Sequence, residues 1–217
     1  MLSLGALSAS GVLLGWAIGL PRVRNHLTFG TNFIDTFGLS LLIPLVCLIF
    51  ASSMFGDLTD DGTLVYLWLR PLSRLKLVLA AVLASFTVCF PIAVPALVAA
   101  AALTGAGRDL VLATLIAGTV TTIAYVCAFV ALGLRVKRPL VWGLLYIFIW
   151  EGFIARGSYT AAKFAIRSYG SSILFDATGV KLVLANFDRS WSIVVPLVIG
   201  VVAIAYATRR LHRQDVA

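Results

Sequence analysis

Apolar residues run along this chain in long unbroken blocks, and polar residues gather in short breaks between them. Six blocks reach or approach the roughly 20 residues that cross a hydrocarbon core. They are residues 2–20, 37–55, 77–103, 110–134, the shorter 140–155, and 191–208. None alternates with a period of two, which excludes a transmembrane barrel and leaves helices as the spanning elements. The first block has no Lys or Arg before Arg22, so it lacks the basic region of a signal peptide and reads as a true span. Its Gly11, Gly15 and Gly19 recur every fourth residue, a spacing that lets another helix approach closely. Pro91 and Pro95 predict a kink in the third span.

The polar breaks are unequal. The longest, 156–190, is too long for a structureless loop. Tyr159, Ala162, Ile166 and Tyr169 follow helical spacing there, with Lys163 and Arg167 on another face. Residues 173–187 are also partly apolar, so the segment predicts two short helices at the outer membrane surface. The most concentrated break, 56–76, opens with Asp57, Asp60 and Asp61 and closes with Arg70, Arg74 and Lys76. Between them, Leu64, Leu67, Trp68 and Leu69 are too apolar to float in water. Asp60, Asp61 and Thr63 stand where the first amides of a helix need acceptors. A short helix over 64–69, stopped by Pro71, follows, with no apolar partner inside its own loop.

Composition agrees with lipid as the solvent. The 217 residues are 61% hydrophobic and 12% charged, with mean hydropathy +1.03; soluble domains run near half apolar and a quarter charged. The net charge of +8 comes from cations at the edges of apolar blocks, where they anchor spans and meet anionic headgroups. No aromatic-basic interleaving points to nucleic acid. Six spans put both termini on one side. That side collects nine cations and the other eight, which decides nothing by number. The tight clusters at Arg135, Lys137, Arg138 and at Arg209, Arg210, Arg213 make the terminus side cytoplasmic. The three cysteines, Cys47, Cys89 and Cys127, fall inside apolar blocks and read as small buried hydrophobes.

Catalytic chemistry is sparse. With no Gly-Lys pair there is no phosphate cradle for nucleotide hydrolysis. His26 and His212 are too far apart in sequence for zinc-protease spacing, and there is no G-x-S-x-G elbow. Neither a cofactor nor a metal site is indicated. Glu151, the single glutamate, lies inside an apolar block, and an ionisable group there is a functional hypothesis by default. It could line a path or relay a proton; it could equally pair with Arg156 or cap amides of the following turn. Thr119, Thr122 and Tyr125 in the fourth span, with Thr114 and Thr121, could line a polar path or bond their own helix backbone.

The island residues Phe55, Gly56, Asp57, then Asp61, Gly62, Thr63, Leu64, then Leu69, Arg70, Pro71, Leu72, Ser73, Arg74 resemble the signature of type-2 ATP-binding-cassette (ABC) permeases. The stretch Asn32 to Gly38 and the basic ending from Arg209 are similar to the same family. The resemblance implies an all-α polytopic membrane protein, one domain over 1–217, with six spans, cytoplasmic termini and short outer helices over 156–190. It implies that loop 56–76 carries a coupling helix seated on a separate ABC ATPase subunit. The residues taking that role are Asp57, Asp60, Asp61, Gly62, Thr63, Leu64, Leu67, Trp68, Arg70, Pro71 and Arg74. Two permeases, as a homodimer or heterodimer, and two ATPases then form an exporter in the cell membrane. The chain itself is no enzyme, and its cargo is a small or amphipathic molecule such as a drug, antibiotic or lipid. One departure stands out. Family members often begin with a basic amphipathic helix, whereas this chain enters its first apolar block at Leu2, so either the start is truncated or that contact is missing. Two other classes remain open: a scaffold or channel without energy input, and a membrane enzyme using Glu151, for which no second convergent catalytic group is evident.

Overall fold

The computed structural model describes residues 26–60 and 73–214, with side-chain surroundings for 26–55 and 73–211. Everything regular in these residues is helical. Helix α1 runs through His26–Phe33, a π-helical stretch Ile34–Leu42, and Ile43–Asp60. Helix α2 is Arg74–Leu103 and α3 is Arg108–Arg135. Helix α4 joins Pro139–Leu145, a second π-helical stretch Tyr146–Ile154, and Ala155–Gly157. Two shorter helices follow, α5 (Tyr159–Ala162) and α6 (Ile166–Thr178), and α7 spans Arg189–Gln214.

Five of these helices are long and apolar enough to cross a membrane: His26–Phe55, Arg74–Leu103, Arg108–Arg135, Pro139–Gly157 and Arg189–Leu211. They contain the second to sixth predicted blocks. The first block, 2–20, with Gly11, Gly15 and Gly19, lies outside the described residues. The chain is therefore a multi-pass helical membrane protein. Large apolar side chains turned outward fit that solvent: Leu83, Phe153, Val201 and Val202 are all more than 60% exposed. Pro91 and Pro95 sit in α2 without ending it, and both rings face outward.

Helix α3 is the central pillar. It packs against α1, α2, α6 and α7, and buried Leu110, Ala117, Ala124, Val130 and Leu134 mark its length. Small residues set the closest approaches, as expected where lipid removes the hydrophobic drive between helices. A β-carbon on Gly133 of α3 would stand 2.6 Å from the Ser52 carbonyl oxygen of α1, so only glycine allows that crossing. The same crossing fixes direction. Ser52 lies near Gly133, and Gly30 lies against Leu110 and Thr104, so α1 and α3 run parallel with α2 returning between them. The ends at Asp60, Arg74, Arg135, Pro139 and Leu211 thus share one end of the bundle. Helices α5 and α6 sit at the other.

Cys47, Cys89 and Cys127 are all buried and unbridged, as read from the sequence. The 156–190 segment departs from its reading. Helix α6 does not lie on a surface: Ile166 to Leu174 are all buried. A turn at 163–165 separates α5 from α6, so Lys163 and Arg167 do not share a face. Lys163 is exposed while Arg167 is 3% exposed.

Candidate functional site

Helix α6 pushes its first turns into the end of the bundle, and there it meets two acids. Asp35 comes from the π-helical stretch of α1 and Glu151 from that of α4. π-Helical turns are rare and concentrate at functional positions. The wide turns close through Ile43 N–H to the Gly38 carbonyl in α1, and through Ala155 N–H to the Trp150 carbonyl in α4. In α1 the sequence supplies a cause. Pro44 has no N–H for the Ser40 carbonyl, and its ring crowds that carbonyl in a regular α-helix.

The centre of the cluster is an ion pair. Arg167 Nη2 lies 2.6 Å from Asp35 Oδ2, with the two side chains 3% and 9% exposed. Ser171 Oγ donates to Asp35 Oδ1, and Arg167 Nη1 donates to Ser40 Oγ at 3.0 Å. Glu151 is 2% exposed. Its Oε2 accepts the Tyr125 hydroxyl at 2.5 Å, and its Oε1 accepts the backbone N–H of Arg167 at 3.4 Å. That amide belongs to the first turn of α6, whose N–H groups have no partner inside the helix and carry positive dipole. Glu151 therefore caps α6 from another helix. It does cap a backbone amide, but sixteen positions on in sequence rather than in the next turn, and Arg156 is exposed instead of paired with it.

Two phenols pin the linker before α6. Tyr146 OH donates to the Phe164 carbonyl at 3.0 Å, and Tyr169 OH donates to the Lys163 carbonyl at 2.7 Å. With both acids ionised, the cluster holds two negative charges against one guanidinium; the Tyr125 hydroxyl and the α6 N-terminus offset the difference. Arg167 Nε is buried without a hydrogen-bond partner among the described residues. The arrangement is a three-helix clamp, joining α1, α4 and α6 around α3.

Of the four residues read as a translocation path, Tyr125 and Glu151 come together in this clamp. Thr119 and Thr122 do not join it. Their hydroxyls donate to Leu115 and Gly118 carbonyls of their own helix at 2.7 and 2.6 Å, as Thr114 and Thr121 do with Leu110 and Ala117. Among the coupling residues, Asp57 and Asp60 fall on the last turns of α1, which runs further than the apolar block. Arg74 is the first residue of α2. Asp61, Gly62, Thr63, Leu64, Leu67, Trp68, Arg70 and Pro71 lie outside the described residues, as does the predicted helix 64–69. The connection between α1 and α2 is thus shorter than the predicted loop 56–76.

Sequence reasoning missed Asp35 and Arg167. The apolar block begins at Phe37, but the helix already includes His26. Phe29, Phe33 and Phe37 carried the signal: they recur every fourth residue and their rings stack at 6.2 and 5.5 Å. Among the described residues, no group of three His, Cys, Asp or Glu converges as a metal site. Comparison with protein-family models, curated proteins and solved structures finds no match for this chain.

Proposed function

We propose that the chain is the membrane subunit of an ABC exporter of the type-2 permease class, moving a small or amphipathic cargo at the expense of ATP hydrolysed by a separate subunit. With residues 2–20 as a further span, the bundle has six, and the basic clusters at the island end make that end cytoplasmic. Two permease copies and two ATPases make the working assembly, in the cell membrane.

The observation that carries this reading is the course of α1. One end of this helix runs into the acidic island, and about 20 residues away it holds Asp35 in the clamp. At 1.5 Å per residue the two points lie about 30 Å apart, the thickness of a hydrocarbon core. A push on the island therefore loads the helix that carries half of the buried ion pair. In the proposed cycle, closure of the ATPase subunits displaces the coupling segment, α1 and α2 tilt, and the clamp at the far end yields to open outward access. The island acids meet cations on the ATPase, while Leu64, Leu67 and Trp68 supply buried contact. Close interfacial charge pairs of this kind are each worth on the order of 1.5–7 kcal/mol in coupling.

The test is reconstitution with the ATPase that copurifies from the native membrane. The Asp60→Lys, Asp61→Lys double variant should insert normally yet lose transport-linked ATPase stimulation. Normal stimulation in that variant would refute the lever.

A further inference from the structure

A groove runs down the side of the bundle between α3, α4 and α7, and its chemistry is graded from end to end. Ala128, Phe129 and Leu132 form its floor, Ile199 one wall and Trp142 the other. Tyr146, Phe164 and Ile166 close it at the clamp end; Arg135 and Val136 stand at the opposite, basic end. Among the described residues of this lining, Arg135 is the single ionised one. It is held in place by Tyr206, whose hydroxyl accepts from Nη1 at 2.9 Å and whose ring centre lies 5.8 Å from the guanidinium carbon. A guanidinium has five N–H donors, and Tyr206 takes one. Lys137 and Arg138 follow directly and are exposed. At the far end the Tyr146 hydroxyl donates to the Phe164 carbonyl, so the ring faces the groove rather than a free polar group.

The dimensions match one membrane leaflet. The Tyr146 phenol stands beside Glu151 at the level of Tyr125. Tyr125 precedes Arg135 by ten residues, about 15 Å of helix and half of a ~30 Å hydrocarbon core. The groove's volume of about 610 Å³ leaves room for hydrocarbon chains laid along that length.

We propose that this groove is a binding site for an anionic phospholipid, with an acyl chain laid along α3 and the headgroup phosphate held at Arg135. Basic pockets between spans on the side of the anionic leaflet recognise lipid headgroups in this way, and guanidinium matches phosphate by paired hydrogen bonds.

Native mass spectrometry of the purified chain in nonionic detergent tests it, with phosphatidylglycerol and phosphatidylcholine of identical acyl chains as probes. The wild-type chain should retain phosphatidylglycerol in preference to phosphatidylcholine. Arg135→Gln should lose that preference, and Ile199→Trp, which fills the groove, should lose bound lipid of both kinds. Arg108→Gln, at the other end of α3, should behave as wild type. Should Ile199→Trp fail to fold, Ala128→Leu fills the floor instead. A benzophenone cross-linker in place of Trp142 should capture lipid in membranes. Equal retention of the two lipids by the wild-type chain would overturn the proposal, as would a preference that survives Arg135→Gln. Cross-links from position 142 to residues 1–25, to a second copy or to another protein would overturn it too.

Discussion

Three ionisable side chains buried in one cluster make opposite demands on a mutation series. The Asp35–Arg167 pair is buried, and removing one member of such a pair leaves the other charge buried without compensation. Asp35→Leu alone and Arg167→Met alone should each cost about 3–5 kcal/mol, whereas the double variant should recover most of that loss. Unfolding of the micelle-solubilised chain measures all three, and a double variant as unstable as the sum of the singles would show that the two residues do not act as a pair. Glu151 is different, because its partners are donors rather than a facing cation. Glu151→Gln keeps its carbonyl oxygen for the Arg167 amide and turns its NH2 toward the Tyr125 hydroxyl, which then accepts instead of donating, so it should stay within about 1 kcal/mol of wild type. Glu151→Leu strands both donors and should cost on the order of 1–3 kcal/mol for each. Glu151 was legible in the sequence because a lone glutamate in an apolar block stands out. Its partners were not, since Tyr125 and Arg167 lie 26 and 16 positions away and no local spacing relates them.

Helices were far easier to read than the turns that reposition them. Apolar blocks located α1 to α4 and α7, because a chain that must satisfy its backbone in lipid has little other choice. Block edges, however, mark where apolar surface ends and not where hydrogen bonding ends. Helix α1 therefore continues at least eleven residues before Phe37 and at least five beyond Phe55. The π-helical stretches left only indirect traces, Pro44 after the first and Gly152 inside the second. The spacing of Tyr159, Ala162, Ile166 and Tyr169, with Lys163 and Arg167 on another face, reads as a helix at the membrane surface. The serine hydroxyls of α6 are instead consumed inside the bundle: Ser168 and Ser172 donate to backbone carbonyls at 2.6 and 2.7 Å. Gly170 permits the insertion. A β-carbon there would stand 2.7 Å from Thr121 Cγ2 and 3.0 Å from Leu39 Cδ1. Gly170→Ala should therefore destabilise the chain by about 1–3 kcal/mol through overpacking. Thr121→Ser removes that methyl but keeps the hydroxyl bond to Ala117, so adding it should relieve part of the cost. Thermal unfolding of the single and double variants checks this, and no relief in the pair would place the strain elsewhere.

At the scale of the whole molecule, an oily bundle carries a charged island and a buried clamp joined by α1, with Asp35 about 30 Å along that helix from the island and Tyr125 about midway across the apolar zone. The polar density of the island was plain from the sequence, and so was its position between two spans. The clamp was invisible, because it exists only once α6 folds back between α1 and α4. In the proposed cycle the island takes the load and the clamp yields. The most direct measurement is affinity capture of the tagged chain from its native membrane, comparing wild type with the Asp60→Lys, Asp61→Lys variant at matched membrane abundance. The account predicts an ABC ATPase retained by the wild-type chain and lost from the charge-reversed one. Capture of no ATPase by the wild type, or equal capture by both, would contradict it.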